Sequence, residues 1–84
     1  MSAVRLRYFA WLRERVGESA ETVETDAATV RDLVAELAGR EERYALAFAD
    51  LSAVRVAVDE ELADLAAPLA GVREVAFFPP MTGG

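Results

Sequence analysis

The residues best placed to do chemistry stand together in the closing run Phe77-Phe78-Pro79-Pro80-Met81-Thr82-Gly83-Gly84. Pro79 and Pro80 have no amide hydrogen to give a sheet ladder, so they end any strand that reaches Phe78. Two prolines in a row favour an extended polyproline path, so the run projects from the domain rather than folding back. At roughly 3.3 Å per residue, the chain after Phe78 can reach up to about 20 Å. Gly83 and Gly84 carry no side chains, which makes this the thinnest end a backbone can have. Such an end can thread a narrow channel into another protein's active site and present the main-chain carboxylate of Gly84 there. A terminal Gly-Gly alone is also what a frayed chain end looks like. The constraint is the combination of a strand, a double proline, a two-residue spacer and Gly-Gly as the last two residues.

The rest of the composition removes most other chemistry. The sequence has 84 residues, 54% of them hydrophobic, which fits one domain with a small core. It has no Cys and no His, and all nine of its basic residues are Arg. Disulfides, thiolate catalysis, Cys-ligated metals, a Ser-His-Asp triad and the commonest metal ligand are thereby excluded. Without lysine there is no Schiff-base chemistry, no phosphate-loop lysine and no internal acceptor for ubiquitin-type conjugation. What remains is hydroxyls, carboxylates and the chain ends. Paired carboxylates could still serve a free-standing enzyme, but Asp59-Glu60-Glu61 reads better as a charged turn. No metal site and no cofactor bound by this chain are expected.

The net charge of −6 repels phosphate backbones, so nucleic acid is not an expected partner, whereas a basic protein surface is. No apolar run approaches the roughly 18 residues of a membrane span. Residues 1–15 carry Arg5, Arg7, Arg13 and Arg15 and do not read as a signal peptide, so a cytoplasmic location is expected.

The elements that must position the tail follow from periodicity. Residues 3–9 alternate, with Val4, Leu6 and Tyr8 on one face and Arg5, Arg7 and Phe9 on the other, as in a half-buried strand. Residues 10–16 read as a short helical turn closed by Gly17. Residues 20–25 suit a short edge strand. Val30, Leu33, Val34, Leu37 and Ala38 form one apolar stripe, which predicts a helix from Thr29 to Ala38 capped by Thr29, with Asp32 behind it and Gly39 as the stop. Residues 41–49 read as a second, shorter helix burying Tyr44, Leu46 and Phe48.

Residues 53–59 alternate again, with Val54, Val56 and Val58 together. A short segment around Leu62–Leu65 follows, and Pro68 and Gly71 punctuate the next connection. Residues 72–78 form the last strand, with Arg73, Val75 and Phe77 on one face and Glu74, Ala76 and Phe78 on the other. The expected order of strand, strand, helix, strand, strand is an α+β pattern: a mixed sheet covered on one face by a main helix, the arrangement of a β-grasp. Residues 1–78 form that domain, and residues 79–84 a flexible tail.

Residues 74–84, EVAFFPPMTGG, resemble the C-terminal signature of molybdopterin synthase small subunits. The similarity extends along the chain, through VRLRYFAWLRERVG, TVRDLVAEL and VRVAVDEEL. Where that family has an Asp-Gly-Asp type turn before the last strand, this sequence has Ala70-Gly71-Val72-Arg73. The resemblance implies a ubiquitin-like β-grasp whose Gly84 carboxylate is adenylated by a partner enzyme using ATP. Conversion to a thiocarboxylate and delivery of the sulfur to a cyclic pyranopterin precursor, inside the large subunit of the synthase, would follow. A carboxylate is a poor electrophile and adenylation supplies its leaving group; the thiocarboxylate then carries sulfur with no cysteine in the carrier.

Gly83 and Gly84 are accordingly the candidate reacting residues, and Phe78, Pro79, Pro80, Met81 and Thr82 the candidate partner-binding residues. Phe78 faces away from Val75 and Phe77, so it is a candidate interface anchor; alternatively it covers a local cluster with Pro80 or Met81. Arg5, Arg7 and Arg73 form either a basic strip for an acidic partner or solvated surface. Trp11 reads as a core-edge residue. Two other functions share the activation chemistry. One is another thiocarboxylate carrier of the thiamine-pathway type, against which the Phe-Phe-Pro-Pro run and the chain length argue. The other is a ubiquitin-like protein modifier.

Overall fold

A computed structural model describes residues 2–80. The chain runs through strand β1 (Ser2–Tyr8), helix α1 (Ala10–Val16), strand β2 (Ala20–Thr25), helix α2 (Val30–Arg40) and helix α3 (Glu42–Ala47). A single 3-10 turn (Leu51–Ala53) leads into β3 (Arg55–Val58), β4 (Glu61–Ala63) and β5 (Glu74–Phe78). The five strands form one sheet in the order β2-β1-β5-β3-β4. The central pair, β1 and β5, is parallel, and the other neighbours are antiparallel. The expected α+β mixed sheet is therefore present, with β2 at an edge as its alternating acids suggested.

Alternation along the strands builds the core. Val4, Leu6 and Tyr8 of β1, Val56 of β3, and Val75 and Phe77 of β5 are all buried on one face. α2 lays Val30, Leu33, Val34 and Leu37 onto that face, and α1 adds Leu12 and Val16. Phe77 is at the centre, stacked on Tyr8 with ring centroids 5.7 Å apart and meeting Phe48 edge-on at 5.0 Å. Thr29 caps α2 as expected, its hydroxyl accepting from the Asp32 amide at 3.2 Å. The next two amides at this helix end donate to the 65–67 loop: Val30 to the Ala67 carbonyl at 3.0 Å, and Arg31 to the Leu65 carbonyl at 2.8 Å.

Four expectations need correction. Gly39 does not stop α2; the helix continues through it to Arg40 and is closed by Glu41 in an extended conformation. A glycine permits a left-handed stop without requiring one, and here Arg40 stays helical. Its guanidinium reaches the Glu36 carboxylate at 3.1 Å and the Glu24 carbonyl at 3.2 Å. Leu46 is exposed, while Ala47 is buried with Tyr44 and Phe48. Tyr44 and Leu46 are two residues apart, which on a helix puts them on nearly opposite sides. The segment after Asp59-Glu60 is a fifth strand, β4, too short for any period to reveal. The last strand begins at Glu74 rather than Val72. α1 is closed by Gly17 at φ 86, as expected.

Candidate functional site

β5 carries the root of the tail, and its neighbours decide what surrounds that root. Pairing with β1 sets Tyr8 beside Phe77 and Arg7 beside Ala76. The ladder runs one residue further, because the Phe9 amide donates to the Phe77 carbonyl at 3.1 Å. Pairing with β3 sets Arg55 beside Phe78 and Ala57 beside Ala76, and β4 sets Leu62 beside Ala57. Opposed residues share a face of the sheet. The face without helices therefore carries an apolar lane running from Phe9 and Phe78 across Ala76 and Ala57 to Leu62. Phe9 is 39% and Leu62 81% exposed, which makes them two of the three large apolar residues most open to solvent among the described residues.

At the Phe78 end of this lane, Phe9, Ala10, Ala76, Phe78, Pro79 and Pro80 line a shallow apolar cleft of about 450 Å³. Pro79 and Pro80 are half-buried, so the first two residues beyond the sheet lie against the lane. Arg7 holds its guanidinium 5.1 Å from the Phe9 ring centroid, a cation on the flank of the cleft. Among the described residues no ionisable side chain lines the cleft itself, so its lining can bind an apolar surface and offers no acid or base.

Backbone strain is concentrated around this lane. The described non-glycine residues with positive φ are Ala10 (53), Asp59 (48) and Glu60 (71). Each such L-residue costs roughly 1–2 kcal/mol. Ala10 adjoins Phe9. Asp59 and Glu60 form the two-residue β3–β4 turn, between Val58 and Glu61, that aims Leu62. Two positive φ values are what a type I′ hairpin turn requires, and glycine is the usual second residue. The Asp59 carboxylate oxygen Oδ1 accepts from the Arg73 and Glu74 amides, both at 3.0 Å, and so ties this turn to the start of β5.

The opposite face holds the polar network. The Glu21 oxygen Oε2 accepts from the Tyr8 hydroxyl at 2.8 Å and the Tyr44 hydroxyl at 2.6 Å. Arg43 donates to the Tyr44 oxygen at 3.0 Å and to the Val16 carbonyl at 2.8 Å. Burial first, and then the bond to Glu21, push the Tyr8 pKa far above its ordinary value. The same causes in the same order raise Tyr44 to about 12. Both effects favour the neutral phenols and mark a structural lock between β1, β2 and α3.

Of the sequence-predicted site residues, Phe78, Pro79 and Pro80 come together at the cleft. Met81, Thr82, Gly83 and Gly84 lie outside the described residues. Phe9 and Leu62 were missed. The signal for Phe9 was an aromatic on the arginine face of its strand; Leu62 gave none without knowledge of β4. The supposed basic strip is interleaved with acids. Arg5 lies 3.8 Å from Glu74, and Arg7 and Arg73 share a shallow polar depression with Asp59, Glu60 and Glu74. Trp11 is at the core edge as expected, with Arg15 over its ring at 4.6 Å. Among the described residues no group of three or more His, Cys, Asp or Glu is arranged to hold a metal ion. No helix among them is long and apolar enough to cross a membrane.

Residues 6–84 match the ThiS family. The chain belongs to that family. A relative of 41% identity over 81 residues, spanning 96% of this chain and 99% of its own length, is the molybdopterin synthase sulfur carrier subunit of Escherichia coli strain K12. The small archaeal modifier protein SAMP1 of Haloferax volcanii superposes with a TM-score of 0.73 at 28% identity, covering 99% of this chain and 100% of that one. A structure from Helicobacter pylori 26695, a complex of subunits 1 and 2 of molybdopterin-converting factor, matches with a TM-score of 0.62 at 24% identity over 99% and 100% of the two chains. The fold of this ThiS-family chain is thus the ubiquitin-like β-grasp expected from its sequence.

Proposed function

We propose that this chain is the sulfur carrier subunit of a molybdopterin synthase. The observation that carries the reading is the apolar lane at the root of the tail. It ends in Phe78, Pro79 and Pro80 and leads directly into Met81-Thr82-Gly83-Gly84. The 41% identity to a sulfur carrier subunit supports it. An adenylating enzyme of the ubiquitin-activating kind attaches AMP from ATP to the Gly84 carboxylate, releasing pyrophosphate. A sulfur donor then displaces AMP and leaves a thiocarboxylate. The lane docks on the large subunit of the synthase, with Phe9, Phe78 and Leu62 as apolar anchors. Gly83 and Gly84 enter its active site, and the sulfur passes to the pyranopterin precursor. The large subunit supplies the acids and bases that the cleft lacks; this chain binds no metal or cofactor itself. On this reading it works in the cytoplasm, where ATP is available.

The likeness to SAMP1 favours one second reading, a protein modifier that forms isopeptide bonds. Intact mass after incubation with the adenylating enzyme, ATP and a sulfur donor separates the two. Replacement of one oxygen by one sulfur supports the carrier. Covalent adducts to lysines of other proteins support the modifier. An unchanged mass contradicts both.

A further inference from the structure

Ala10 joins β1 to α1 with φ 53, inside the left-handed region. Phe9 before it is extended, at φ −125 and ψ 153, and serves both elements at once. Its amide donates to the Phe77 carbonyl at 3.1 Å as the last rung of the β1–β5 ladder. Its carbonyl accepts from the Leu12 amide at 3.2 Å and the Arg13 amide at 3.4 Å, which begin the helix. Strand pairing ends and helix bonding starts on the same residue, so the chain has to reverse at the next one. The left-handed backbone of Ala10 makes that reversal without a loop. Glycine takes this conformation freely, whereas alanine holds it only where the surroundings over-determine it. The methyl group is therefore present where its absence would ease the backbone. On the open face Ala10 lines the apolar cleft together with Phe78, Pro79 and Pro80.

We infer that Ala10 is a positioning residue for the root of the tail: its methyl, held in the left-handed conformation, walls the cleft along which Pro79 and Pro80 leave the sheet. The inference rests on the reading of the tail as the working group. It gives the strain a purpose, because a reacting group displaced by ~1 Å can lose on the order of a hundredfold in rate. A purely structural role predicts something else. Replacing a strained alanine by glycine would then raise stability and change nothing at the tail.

The test compares the full chain with Ala10→Gly, and with Ala10→Ser, which restores a Cβ. Three quantities are read: the melting temperature, the ¹⁵N order parameter of the Phe78 amide, and the single-turnover rate of sulfur transfer with a large subunit. Ala10→Gly should melt no lower than the unsubstituted chain, yet lose order at Phe78 and transfer sulfur about tenfold more slowly, well within the loss a small displacement produces. Ala10→Ser should recover both the order and the rate. Unchanged order in Ala10→Gly would overturn the inference whatever the transfer rate. Lost order with an unchanged rate would overturn it too, since order at the root would then not matter. If the unsubstituted chain transfers no sulfur, the carrier reading fails, and the order parameter alone still decides whether Ala10 positions the root of the tail.

Discussion

Phe77 and Phe78 are neighbours in sequence and belong to different halves of the molecule. Phe77 is fully buried, stacked on Tyr8 and packed against Phe48. Phe78, one residue on, turns to the helix-free face and lines the cleft at the root of the tail. The strand period of two is what separates them. On the covered face the large apolar side chains pack into one core cluster, and the Tyr8 and Tyr44 hydroxyls both donate to Glu21. On the open face Phe9 and Leu62 stay exposed and Phe78 half-buried, and the strained residues Ala10, Asp59 and Glu60 hold their supports. One face thus keeps the fold, and the other is the surface that the proposed function assigns to a partner.

The largest effect should come from the covered face. Phe77→Ala is expected to destabilise by roughly 3–5 kcal/mol, the usual cost of truncating a core phenylalanine. Phe77→Leu, a milder change, should fold while still losing stability. A denaturant midpoint unmoved by either substitution would break the distinction between the faces.

Alkali should attack the same face. Tyr8 and Tyr44 are the two tyrosines of the chain. Both have pKa values raised in the folded state, Tyr44 to about 12. A raised folded-state pKa means that the stabilisation is whole below the unfolded value near 10 and is lost as pH climbs toward and through 12. Tyrosinate absorbance of the native protein should stay flat through about pH 10–11, while the urea-unfolded chain titrates near 10. Native tyrosines titrating with the unfolded ones would contradict the lock around Glu21.

The open face should behave in the opposite way. Phe78→Ala and Leu62→Ala are each expected to change stability by about 1 kcal/mol or less, yet weaken binding to the large subunit by more than about 1 kcal/mol, as loss of an interface anchor does. Calorimetric titration measures it, and equal affinities would return both residues to a structural role. The smallest effect is expected at the hairpin. Glu60→Gly should stabilise by about 0.5–1 kcal/mol, because glycine removes the left-handed penalty at some cost in chain entropy. A lower melting temperature would show that the Glu60 side chain contributes more than its backbone conformation costs.

The two faces also differ in how far the sequence revealed them. The covered face was legible because alternation and the Val30–Leu37 stripe are local patterns, and each names its own buried side. Local patterns also set the misreadings. Gly39 looked like a stop, and the Tyr44-Leu46-Phe48 spacing looked apolar without fitting a helix. The open lane is non-local: Phe9 lies by Phe78, and Leu62 lies in line with Ala57, only through pairings between distant strands. The Pro79-Pro80 punctuation was legible because it is main-chain chemistry, which needs no partner in the fold to be recognised.

The most direct test acts on the chain end itself. One residue added after Gly84 moves the carboxylate by about 3.3–3.6 Å along the chain, far beyond the displacement of ~1 Å that already costs about a hundredfold. Single-turnover thiocarboxylate formation, followed by sulfur transfer with the large subunit, should be abolished in the extended protein and in the form lacking Gly84. The melting temperature should stay that of the unaltered chain in both. Unaltered transfer by the extended protein would contradict the claim that the Gly84 carboxylate is the reacting group.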